Sequence, residues 1–229
     1  MRVLLTTDNY LSREFDFYGK NAKFEALESI AGKHPVVFIG SFQKPSLYHF
    51  FTKKKTTVLS AITSRQTQFD ILQQELAYQE QSVFVCSKIP GLSKKFTVGA
   101  YSFDGFFIEN FQSVNRLKIT FELNQTTYSK GDTLILDFEI FNPQSNEINF
   151  KHSELPVTLV AVYFNKDAMF FSKCEWISSV EKLPSLATIK GGLKTVIPDL
   201  QGNYKFGLTL DNKICKPINS RFVKIKINH

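Results

Sequence analysis

Ser41, Gln43 and Ser46 follow an apolar run, Val36–Ile39, at the point where it gives way to a short amphipathic segment. Arg65, Gln68 and Asp70 stand at the head of the next such segment. Hydroxyls and amides at the carboxyl end of a strand, beside the first N–H groups of a helix, can hold an anion, and α/β folds bind their ligands at that edge. A guanidinium such as that of Arg65 can hold phosphate bidentately. The same residues also fit a local reading. Ser41 or Lys44 caps the helix, Pro45 sits in its first turn, and Gln43 satisfies loop backbone. Thr67 and Asp70 have the T-x-x-D spacing of a reciprocal cap, and Arg65 could tie the loop to Asp70. Lys53, Lys54 and Lys55 form the one compact charge run, placed to suit a helix C-terminus or to face anionic head groups.

Other chemistries lack their residues. The turn Gly40-Ser41-Phe42-Gln43-Lys44-Pro45 has neither G-x-G-x-x-G nor a Walker lysine, so no nucleotide cofactor is predicted. His34, His49, His152 and His229 show no metal-ligand spacing, and there is no G-x-S-x-G elbow; no catalytic residue and no metal ligand are predicted. Cys86, Cys174 and Cys215 form no C-x-x-C pair, Cys86 reads as a small buried hydrophobe, and a Cys174–Cys215 bridge is conceivable in an oxidising compartment. The net charge of +7 is scattered, with no zinc-finger spacing, RNP-like signature or basic helix, so no nucleic-acid partner is predicted. No apolar run approaches the roughly 18 to 20 residues that span a bilayer, and the first dozen residues lack the apolar region and cleavage site of a signal peptide.

The elements that must position these residues change character along the chain of 229 residues. Residues 2–6 could form a strand. Phe24, Leu27, Ile30 and Ala31 recur at helical spacing between a capping Asn21 and a stopping Gly32. Strands are predicted over Val36–Ile39, 57–61 and 82–86. Between them lie a helix with Leu47, Phe50 and Phe51 on one face and another with Phe69, Leu72 and Leu76, ending near Gln81. Alternating strand and helix argue for a small Rossmann-like parallel sheet over residues 1–114. From residue 115 the period becomes twofold, in runs around 117–123, 134–140, 157–164, 204–210 and 221–227, with a turn at Ser129-Lys130-Gly131-Asp132. That series predicts a β-sandwich over 115–229. Tyr204, after Gly202-Asn203, stands like the corner tyrosine of immunoglobulin-like domains, with Phe206 in place of the usual Cys. The fold class is therefore two-domain, α/β followed by all-β. Asn124-Gln125-Thr126 has the pattern of an N-glycosylation acceptor.

Ser41, Gln43, Ser46, Tyr48, Phe50 and Thr52, followed by Arg65, Gln68 and Asp70, match a pair of phrases, "SYQ-x-(A/P)S-x-Y-x-FYT" and "R-x-x-QYD". On them residues 14–115 resemble the C-terminal soluble region of Bacteroidetes-type membrane glycosyltransferases of the dolichyl-phosphate-mannose-protein mannosyltransferase superfamily. The chain departs from the phrases at Phe42, Phe51 and Phe69, which lose a hydroxyl, and at Lys53. The resemblance implies an extracytoplasmic, periplasmic-face domain that is itself inactive, attached to a membrane-embedded part that uses a polyprenyl-phosphate sugar donor. It implies contact with that part, a lipid-linked sugar phosphate or a glycan acceptor through Ser41, Gln43, Ser46, Tyr48, Arg65, Gln68 and Asp70. The competing expectation is a free-standing protein- or glycan-binding module on a structural α/β base.

Overall fold

A computed structural model describes residues 17–177 and 180–228. The predicted strand over 2–6 lies outside them. The fold is mostly β, in several sheets, and the chain divides into two compact units. The first takes in the described residues up to Val58 and then Glu80–Phe111; the second takes in Leu59–Gln79 and the described residues from Gln112 onwards.

In the first unit, helix α1 (Phe17–Ala31) precedes strand β1 (Val36–Ile39), helix α2 (Gln43–Thr52) and strand β2 (Thr56–Leu59), whose last residue opens the second unit. Phe24, Leu27 and Ala31 are buried on one face of α1, as their spacing predicts, and Gly32 ends the helix at φ +61°. Asn21 is interior rather than the cap, because the helix already runs from Phe17. On α2 the buried face is Pro45 and Tyr48, not the predicted Leu47, Phe50 and Phe51; Phe50 is 57% exposed. Tyr48 wins that place because its ring packs edge-on against both Phe24 and Phe38.

Strand β3 (Val83–Cys86) is parallel to β1, but the sheet does not continue that way. Strands β4 (Lys94–Val98) and β5 (Tyr101–Ile108) form a hairpin, and β5 lies antiparallel to β3, giving the order β2-β1-β3-β5-β4. The sheet is thus mixed, correcting the all-parallel expectation. The reason is local: Val98 pairs with Tyr101 across a two-residue turn, Gly99-Ala100, with Gly99 at φ +56°, and so short a link reverses the strand without a helical crossover.

In the second unit, a five-stranded sheet runs β11 (Met169–Lys173), β10 (Thr158–Phe164), β15 (Gly202–Asp211), β16 (Val223–Asn228), β7 (Thr127–Ser129). A four-stranded sheet runs β12 (Glu175–Trp176), β14 (Thr188–Val196), β8 (Thr133–Phe141), β6 (Lys118–Phe121), and β9 (Ile148–Asn149) pairs with β13 (Lys182–Leu183). The twofold sequence pattern survives as alternating burial in β8, whereas β15 is buried throughout 206–210. Leu134, Leu136, Phe138 and Ile140 of β8 and Tyr204, Phe206, Leu208 and Leu210 of β15 enter one common core. Phe206, at the position a cysteine takes in antibody domains, packs edge-on against Phe121. Among the described residues Tyr204 shows no corner bond, and its ring meets Phe170; the Tyr128 hydroxyl donates to the upstream carbonyl of Gln125 at 2.8 Å.

Gly105 of β5 has no room for a side chain, since a Cβ there would stand 2.6 Å from the Val85 carbonyl oxygen and against the Phe84 ring. Gly105→Ala should therefore cost about 2–3 kcal/mol, read as a lower urea midpoint with unchanged slope.

Candidate functional site

The residues that carry the resemblance fall in both units: Ser41, Gln43, Ser46 and Tyr48 in the first, Arg65, Gln68 and Asp70 in the second. At the head of α2, Ser41 Oγ accepts from the Gln43 N–H at 3.3 Å, and Ser46 Oγ donates back to the Phe42 carbonyl at 2.8 Å. Lys44 makes no cap; the helix begins after Phe42 without a side-chain cap bond. Ser41, Gln43 and Ser46 are exposed, whereas Tyr48 is fully buried. Burial, then Glu28, pushes the Tyr48 hydroxyl up to about 12. At the other end of α2, Lys53 takes a left-handed conformation with its ammonium 4.9 Å from the Phe50 ring, and Lys54 pairs with Glu28 at 3.1 Å.

In the second unit, the helix expected from Phe69, Leu72 and Leu76 is one turn, α3 (Gln68–Ile71), then a 3-10 turn at Gln74–Tyr78. Gln73 at φ +52° separates them and leaves Ile71 and Leu72 exposed. Thr67 and Asp70 form the reciprocal cap that their spacing predicts. Asp70 Oδ2 accepts from the Thr67 N–H at 2.7 Å, the Thr67 hydroxyl at 2.6 Å and the Ser60 hydroxyl at 2.7 Å. That buried carboxylate is thus engaged by its own neighbourhood, not by Arg65, which is exposed, as is Gln68.

Around this cap lies a buried polar network. Asn115 Nδ2 donates to the Ser60 carbonyl at 3.2 Å, the Cys215 thiol donates to the same oxygen at 3.4 Å, and the Ile62 N–H donates to the Lys216 carbonyl at 2.7 Å. Arg116 Nε pairs with Glu75 Oε1, and Gln79 bonds to both Gln144 and Ser113. The three cysteines are free, so the conceivable Cys174–Cys215 bridge is not formed. Burial pushes the Cys86 thiol up to about 11 and those of Cys174 and Cys215 up to about 12. No group of three His, Cys, Asp or Glu close enough to hold a metal occurs among the described residues.

One feature escaped sequence reasoning, a cleft of about 710 Å³ on the outward face of the five-stranded sheet. Outward residues there form rows across the strands: Phe164, Lys205 and Lys224 in one, Asn203, Lys226 and Thr127 in the next. Lys166, just beyond β10, adds a fourth ammonium, and no Asp or Glu lines the cleft. Lys205 Nζ lies 5.4 Å from the centre of the Phe164 ring, which meets Phe222 edge-on at 4.7 Å. The signal was present in K-x-K at 224–226 and N-x-K at 203–205, but the register that sets Lys205 opposite Lys224 is not readable from either segment alone.

No protein-family model matches the sequence, and no curated protein matches it. Among solved structures the chain is similar to the alkylpurine DNA glycosylase AlkC of Pseudomonas fluorescens bound to DNA with an abasic-site analog. That likeness has TM-score 0.36 and 11% identity over 51% of this chain and 32% of that one. It is also similar to the CARDB domain of PF1109 from Pyrococcus furiosus, with TM-score 0.29 and 8% identity over 48% of this chain and 93% of that one. A β-glucosidase from Listeria innocua in complex with glucose gives TM-score 0.32 and 8% identity over 92% of this chain and 38% of that one. The chain spans about a third of the glycosylase's length, and likenesses this weak carry no argument about function.

Asp70→Asn should cost about 1–2 kcal/mol in chemical denaturation, because an amide cannot accept all three bonds that converge on Oδ2. The thiols give a pH dependence. An ordinary thiol ionises near 9, and these are held protonated to 11–12. Between those values the folded chain keeps protons that the unfolded chain has released, so stability is whole below pH 9 and falls as pH rises towards 12. Denaturation midpoints should be level from about pH 7 to 8.5 and lower at about pH 10.5, with all three thiols slow towards a disulfide reagent at neutral pH until the chain is unfolded.

Proposed function

We propose that the chain is a non-catalytic extracytoplasmic domain of a membrane glycosyltransferase that uses a polyprenyl-phosphate sugar donor, where it covers the active site or positions an acceptor or partner. On this reading the first unit is a Rossmann-like layer extended by an antiparallel hairpin, and the second is an Ig-like sandwich. The observation that carries the proposal is how the residues bearing the resemblance are used. Tyr48 is core, Ser46 bonds back to Phe42, and Asp70 closes a helix cap. They hold the domain together, which fits a part of an enzyme whose chemistry is done elsewhere. No helix among the described residues is long and apolar enough to cross a membrane, so the membrane part would be other sequence. The second reading, a free-standing glycan- or protein-binding module, is favoured by the lysine-lined cleft.

Fractionated native cells probed with an antibody to this chain separate the readings. The glycosyltransferase reading expects a membrane-retained band well above 26.2 kDa. A band of that size in the soluble fraction removes it and leaves the binding module.

A further inference from the structure

We infer that the lysine-lined cleft of the five-stranded sheet binds an acidic oligosaccharide. Each outward face of the second unit's two larger sheets carries lysines, and the strand registers set Lys190 and Lys205 against charges of opposite sign, a carboxylate and an ammonium. On the four-stranded sheet Lys190 lies opposite Glu139 in the β14–β8 register and pairs with it at 2.6 Å. On the five-stranded sheet Lys205 lies opposite Lys224, Lys226 follows on the same face, and Lys166 completes the group. None of these four makes an ion pair among the described residues. Like charges directly opposite on antiparallel strands destabilise a sheet. An anion laid along the rows removes that repulsion, so the arrangement is costly to the free protein and favourable to a complex.

The rest of the lining selects the kind of anion. Thr126, Thr127 and Asn203 offer neutral hydrogen-bonding groups suited to the hydroxyls of a sugar. Single-stranded nucleic acid needs aromatic faces uncovered in succession. Here the Phe164 and Phe222 rings meet edge to face and Phe164 lies beneath the Lys205 ammonium. A bilayer surface would favour lysines on a protruding segment, whereas three of these are strand residues in a concavity.

The test uses the full chain, ¹⁵N-labelled, titrated with an oligogalacturonate hexasaccharide, a heparin hexasaccharide and neutral maltohexaose. The expected result is amide shifts at Asn203, Lys205, Lys224 and Lys226 with either acidic sugar, weakened by salt, and none with maltohexaose. K205Q/K224Q should bind about ten-fold more weakly and unfold at a higher temperature, because the change removes both the anion's partners and the repulsion. K166Q/K226Q gives a second pair with the same expected loss of affinity. The inference is overturned if neither acidic sugar shifts those amides or if both variants keep wild-type affinity. It is equally overturned if a single-stranded hexanucleotide or vesicles of anionic phospholipid occupy the cleft more tightly than the sugars, which would assign it to nucleic acid or membrane. Fractionation of native membranes tests the glycosyltransferase reading separately, so either result stands without the other.

Discussion

The second unit depends on a loan from the middle of the first half of the chain. Leu59–Gln79 leaves the first unit after β2 and is bound to residues that come much later in sequence. The bonds are polar and wholly or partly buried, from Ser60, Ile62, Glu75 and Gln79 to Asn115, Arg116, Ser113, Gln144, Cys215 and Lys216. Apolar packing tolerates a shift of position more readily than such bonds do, because each one missed leaves a desolvated group unpaired. These bonds favour one register for the segment, although Glu75 Oε2, Asn115 Oδ1 and Arg116 Nη2 are left without a hydrogen-bond partner among the described residues, and the Thr67–Asp70 cap is tied in through Ser60.

Against this background the residues that first attracted attention look different. Ser46 bonds to the Phe42 carbonyl, and Asp70 to the hydroxyls of Thr67 and Ser60. Short polar side chains at helix starts meet local donors first, while Gln43, Arg65 and Gln68 are exposed. The lysines of β15 and β16 are the reverse case. They are unremarkable in sequence, and only strand pairing makes them a group.

What could be read from the sequence followed the range of the interactions involved. The twofold runs of β8 and β16 and the Thr67–Asp70 cap depend on neighbours two to four residues away and were legible, whereas β10 and the second half of β15 are buried on both faces and do not alternate. The β4–β5 hairpin was not, because exposure along β5 does not follow its alternation: Phe103 and Phe107 lie on one face, yet Phe103 is buried and Phe107 is 41% exposed, so no single stripe marks an inner face. Periodicity misled at Leu72, where Gln73 in a left-handed conformation ends the helix after one turn. It misled at Phe50 too, since Pro45 and Tyr48 take the inner face of α2. The cleft was hidden for the most general reason, that register between distant strands is a property of the assembled sheet.

The discontinuity of the second unit also bears on the order in which the protein can be made. Once Phe111 has left the ribosome every residue of the first unit is present, and that unit can close. Leu59–Gln79 emerges earlier but must wait, because Cys215, which bonds to Ser60, lies 155 residues downstream. Its partners arrive in steps: Ser113, Asn115 and Arg116 come within five residues of Phe111, Gln144 follows, and Cys215 comes last. Polar anchors thus suit a segment whose set of partners is completed only near the end of synthesis, whereas an apolar one of the same length would be open to aggregation until then.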